Sequence, residues 1–94
     1  MDRSTFEGFM SSLRSTGSEM TKRDMCRDIF RTQFLTARQL GLILDSIMSE
    51  YDKMETAKAA AAHVVDPGNA LGLAGRFMSD MKKREFVALM SSQR

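Results

Sequence analysis

Apolar residues recur along this chain at helical spacing, and no run alternates as a half-buried strand would. Phe6, Phe9, Met10 and Leu13 share one face of a helix over 4–14, with Ser4 and Glu7 placed as its capping box. Met25, Ile29 and Phe30 mark a second over 20–33. Thr21 and Asp24 would box its start, and Met20 and Met25 would staple it. Thr36 and Gln39 open a third, which continues through Leu40, Ile43, Leu44 and Ile47. Leu42 falls off that stripe, so this helix should be the most buried. A fourth, over 50–64, carries Met54, Ala57, Ala60, Ala61 and Val64, an alanine-rich face suited to a close neighbour. Its cap is Ser49 or Asp52. A fifth runs over 66–77 and a sixth over 81–90, the latter with Phe86, Val87 and Met90 inward and Ser79 or Asp80 as cap.

Three heptapeptides sharpen this pattern. SEMTKRD at 18–24, SEYDKME at 49–55 and SDMKKRE at 79–85 share Ser, an acid, Met or Tyr, a Lys and a closing acid, at offsets of 31 and 30. LGL at 40–42 returns at 71–73, and IMSE at 47–50 returns as FMSD at 77–80. Helix pairs recurring at about 30 residues complete one another's core. The expected fold is therefore all-α, with about six short antiparallel helices. Two helical-hairpin repeats would carry a half unit at each end, closing as a compact bundle or a short curved stack. Residues 1–94 form one domain, with a core over about 4–91, a size that fits a module appended to a longer protein.

VVDPGNALGLAG, at 64–75, is the one stretch resembling a ligand loop. Its glycines do not form a phosphate-binding GxGxxG. Asp66 and Asn69 instead match Thr36 and Gln39 as a helix start, with Asp66 capping and Pro67 at N1, where a missing N–H costs nothing. Gly72 and Gly75 inside a helix each cost about 1 kcal/mol relative to alanine, which predicts close helix packing in return.

FLTARQLGLIL, YDKMETAK and HVVDPGNALGLAGRF with KREF behind resemble a family of small all-helical domains known as domain of unknown function 4476, over residues 6–90. The resemblance rests most on Phe34, Thr36, Gln39, Lys53, Val65, Asp66 and Asn69. Ser49 and Ser79 depart from it, standing where the pattern carries a second apolar residue. It implies an appended interaction domain and supplies no activity.

Charge changes the picture little. Fourteen basic against twelve acidic residues leave a net charge of +2, a weak hint of polyanion binding. Cys26 is the sole cysteine, so no internal disulfide can form and a thiolate metal site lacks ligands. Neither a signal pattern nor an apolar run near ~20 residues appears, so the expected setting is intracellular and cytoplasmic, with no membrane span. His63, the only histidine, sits at a helix end, where it can meet the last carbonyls. Glu50, Asp52 and Glu55 are explained by the dipole of a helix start. No catalytic set, cofactor or metal site is expected.

The remaining candidates are basic. Arg23, Arg27 and Arg31 recur every four residues, with Arg38 near the end of that stripe, while Lys82, Lys83 and Arg84 crowd a helix N-terminus, the unfavourable end for cations. The stripe has interleaved acids and lacks aromatic residues, so it reads first as a solvated outer face, and as a contact for an acidic protein surface ahead of nucleic acid. Nine methionines are first expected to fill irregular gaps in the core, and an adaptable binding face is the second use open to them. The expectation is a non-enzymatic helical module that binds another protein, compatible with a homodimer; the alternative is a small basic nucleic-acid-binding domain.

Overall fold

A computed structural model describes residues 1–93. It contains five α-helices: α1 (Arg3–Arg14), α2 (Glu19–Phe30), α3 (Ala37–Asp45), α4 (Glu50–Ala60) and α5 (Asp80–Ser91). A long 3-10 segment, Pro67–Arg76, stands where a fifth α-helix was expected, and a single 3-10 turn, Ala61–His63, extends α4. No strand occurs among the described residues. Leu35 and Val64 form one isolated parallel bridge, in which the Leu35 N–H donates to the His63 carbonyl (3.0 Å) and the Val65 N–H to the Leu35 carbonyl (2.9 Å).

The starts of α1 and α2 differ from expectation for one reason, and the same reason decides between the candidates at α4 and α5. Each true cap lies before the apolar stripe begins, where the chain first offers a hydroxyl or carboxylate in extended conformation. Asp2, not Ser4, caps α1 by accepting from the Thr5 N–H, and Glu7 pairs with Arg3 instead. Ser18, not Thr21, caps α2, and the Thr21 N–H donates to it. Ser49, not Asp52, caps α4, and Ser79 caps α5. Thr36 and Gln39 form the full capping box of α3, with bonds of 3.1 and 3.0 Å. The three recurring serines thus open three helices in the same way.

The 3-10 segment follows from its composition. Glycine at 68, 72 and 75 weakens α-helical preference, whereas a three-residue period brings Ala70 and Leu73 to one inward row. Ten residues is long for this conformation, which is usually limited to about four. Asp66 precedes the segment without capping it. Its carboxylate accepts from the Ala37 N–H (2.7 Å), satisfying an orphan donor in the first turn of α3, and the Asn69 amide donates to its other oxygen (3.1 Å). The Ala37 N–H, followed by the Asn69 amide, holds the Asp66 carboxyl below the usual range.

Close packing also falls elsewhere than predicted. A Cβ on Gly72 or Gly75 would meet nothing within 4 Å, whereas one on Gly41 would lie 2.9 Å from Leu73 Cδ2 and 3.3 Å from a terminal nitrogen of Arg76. Gly41 is what lets α3 approach the 3-10 segment. Six of the nine residues of α3 are buried, so it is the central helix, as its circumferential apolarity implies. One buried cluster joins it with Leu13 of α1, Phe30 of α2, Met54 of α4, and Phe86 and Met90 of α5, with the Phe77 and Phe86 rings 5.4 Å apart. Each such side chain contributes roughly 1.5–3 kcal/mol by leaving water. The radius of gyration is 12.1 Å and the extents are 30 × 25 × 18 Å, a compact globule.

Candidate functional site

Ion pairs set the arrangement of the helices. Arg23 reaches Asp52 (2.8 Å) and Arg27 reaches Glu55 (3.1 Å), so α2 and α4 run side by side in the same direction. Lys58 continues the series to Glu85 of α5 (3.2 Å). Opposite them, Asp45 of α3 meets Arg76 of the 3-10 segment (2.9 Å).

The recurring heptapeptide has a specific task within this arrangement. Glu19 accepts from the backbone N–H groups of Met48 and Ser49, the latter at 2.8 Å, while Lys22 donates to the Ser46 carbonyl (2.9 Å). One acid and one lysine of α2 therefore hold the turn between α3 and α4. The lysine caps the C-terminal end of one helix and the acid the N-terminal end of the next, each charge opposing the helix dipole it meets. Glu50 and Lys53 of α4 repeat this at the following turn: Glu50 accepts from Met78 (2.8 Å) and Ser79 (3.2 Å), and Lys53 donates to the Arg76 carbonyl (2.8 Å). Burial pushes the Glu19 pKa up, but the N–H groups of Ser49 and Met48 and the Lys22 ammonium outweigh it, and the net shift is downward. Asp80 and Lys83 hold the same two positions on α5 and pair with each other at 3.9 Å, and the Asp80 side chain is fully exposed.

The sequence-derived basic residues separate into three groups. Arg23 and Arg27 are ties between α2 and α4, with Arg23 only 15% exposed and its guanidinium 6.0 Å from the Tyr51 ring centre. Arg31 projects outward, its side chain 76% exposed, and touches Asp28 at 3.7 Å. Arg38 lines an open cleft of about 580 Å³ between α1 and α3, with Arg3, Glu7 and Arg14 around it and Phe6, Met10 and Leu42 as apolar walls. The sequence could not bring Arg14 and Arg38 together, because they belong to helices that meet only in the tertiary fold. Lys82 pairs loosely with Glu85 (4.0 Å), Lys83 pairs with Asp80, and Arg84 is exposed. Lys83 at a helix N-terminus, odd in isolation, is the third member of the Lys22 and Lys53 series.

A second surface was not singled out by residue in the sequence. Met20, Met48, Tyr51, Met78 and Met81 are 59 to 87% exposed. They flank the starts of α2, α4 and α5, the ends that Glu19 and Glu50 tie together, so they form one row along one end of the helix layer. Their recurrence at the third position of each heptapeptide, and just before its serine, was the available signal.

Groups suited to chemistry are placed for structure. Cys26 is fully buried, and desolvation pushes its thiol up to about 12, so it is inert as a nucleophile in the folded chain. His63 packs against Phe34 with ring centres 5.4 Å apart, and its backbone carbonyl serves the Leu35 bridge. Among the described residues no group of three or more His, Cys, Asp or Glu converges as a metal site, and no helix is long and apolar enough to cross a membrane.

A family model described as "Domain of unknown function (DUF4476)" matches residues 1–90. No curated protein and no solved structure matches the chain.

Proposed function

The chain belongs to the family described as domain of unknown function (DUF4476), and on that premise we propose that it is a non-enzymatic helical protein-interaction module, an appended domain of a larger intracellular protein. The observation that carries this reading is the row of Met20, Met48, Tyr51, Met78 and Met81 at the helix starts. Apolar side chains left in water in a row, in a fold that buries Met10, Met54 and Met90 almost completely, mark a contact surface. Unbranched methionine suits a surface that must fit a partner of irregular shape. Nucleic-acid binding draws less support, since Arg23 and Arg27 already spend their charge on Asp52 and Glu55.

The test compares proteins captured by the wild type with those captured by the triple variant Met48→Ser, Met78→Ser, Met81→Ser, which alters only exposed side chains. The expected result is a reproducible partner lost with the triple variant and no oligonucleotide binding at low salt. Oligonucleotide binding that weakens as salt rises, or capture indifferent to the three substitutions, would overturn the reading.

A further inference from the structure

We propose that the outer face of α5 binds a second copy of this chain head to tail, gripping the turn between that copy's α1 and α2. The argument rests on a device the chain uses twice and presents a third time. Glu19 with Lys22, and Glu50 with Lys53, each hold a helix-to-helix turn through two backbone N–H groups and one carbonyl. Asp80 and Lys83 carry the same pair of functional groups at the same helical positions, yet among the described residues their charged groups pair only with each other.

The chain also holds one turn of the matching kind that is not gripped. Ser46 and Ser49, the C-cap of α3 and the N-cap of α4, are the groups held by α2. Ser15 and Ser18 are the C-cap of α1 and the N-cap of α2, standing 31 residues earlier. Gly17 and Ser18 are exposed, and their backbone N–H groups, like the Ser15 carbonyl, have no partner among the described residues. The two ends are therefore complementary: an acid and a lysine at one, two N–H donors and a carbonyl at the other.

The flanking positions agree. Arg84 stands where Arg23 stands on α2, and the residue corresponding to Arg23's partner Asp52 is Thr21, exposed at the start of α2 beside the exposed Asp24. Val87 corresponds to Cys26 and Ala57; both of those are 0% exposed beneath the neighbouring helix, whereas Val87 is 39% exposed. An exposed valine where the earlier helices are sealed is the apolar part of an interface that lacks its cover. Such contacts do not close by a twofold axis, so they build short linear chains. The inference uses the face of α5, not the methionine row, and its failure would leave the proposed function standing.

Sedimentation velocity from micromolar to about 1 mM tests it. Thr21→Arg blocks the receiving end by facing Arg84 with a second cation, and Asp80→Lys blocks the gripping end. Both positions are exposed, and circular dichroism confirms that each variant is folded. The expected result is a wild-type mass that rises with concentration past the dimer, and a self-association at least about tenfold weaker in each variant alone. Mixing the two variants should restore association but stop at a 1:1 pair, because only one free end of each kind remains. A wild type that stays monomeric to the highest concentration, or one whose association survives in either variant alone, would overturn the proposal.

Discussion

Removing the Glu19 carboxylate is the most direct measure of what the recurring acid contributes. In Glu19→Ala the N–H groups of Met48 and Ser49 lose their acceptor, and Lys22 loses a partner at 3.3 Å while keeping the Ser46 carbonyl. A hydrogen bond to a charged group is worth roughly 1.5–3 kcal/mol net. Met48 is exposed, so water replaces much of one bond, and the Glu19 side chain is 28% exposed, which discounts the pair further. The expected loss is about 2–3 kcal/mol, a large share of the roughly 5–14 kcal/mol available to a chain of this length. In urea this moves the midpoint down by roughly 1.5–2.3 M for a slope near 1.3 kcal/mol/M. Glu50→Ala should match it, because Glu50 makes the same two bonds. Asp80→Ala, measured at micromolar concentration by circular dichroism, should be indistinguishable from wild type. Equal losses at all three positions would refute the reasoning, since they would trace the cost to the first turn of each helix and not to the turn held across the interface.

Asp66→Ala should destabilise by about 1 kcal/mol through the bare Ala37 N–H, and Asp66→Asn by less, because an amide oxygen can still accept; thermal melts separate the two. Gly72→Ala should stabilise by about 0.5–1 kcal/mol, because nothing lies within 4 Å of its Cβ, whereas Gly41→Ala should gain less or lose, since buried Leu73 must yield at 2.9 Å. Glu19 and Asp66 both have lowered folded-state pKa values, so their stabilisation is fully present above the unfolded values of 4.5 and 3.8 and is lost as pH falls through the folded ones. Urea midpoints should accordingly hold between pH 5 and 7 and drop below about 4.5, with a shallower drop in the double variant Glu19→Gln, Asp66→Asn. Cys26 should resist a thiol reagent at pH 8 until urea unfolds the chain, its pKa being about 12; prompt labelling of native protein would contradict its burial.

The sequence by itself determined the elements and their recurrence. Apolar spacing located all six helical segments, because helix period and burial are written in neighbouring residues, and the Thr36 capping box was legible because both partners lie within four positions. It placed two other caps two or three residues late, Ser4 for Asp2 and Thr21 for Ser18, since the apolar stripe begins after the cap and not at it. What only the tertiary structure decided is what long-range contacts decide. Asp66 caps a helix 29 residues earlier, Gly41 and not Gly72 lies at the close approach, and Arg23 and Arg27 are ties rather than a free stripe. The change from α to 3-10 over Pro67–Arg76 belongs with these: glycine lowers the cost of either form, and the row that must meet α3 selects one. Lys83 at a helix start looked misplaced for the same reason, because the turn its counterparts hold lies on the neighbouring helices, beyond the reach of local sequence.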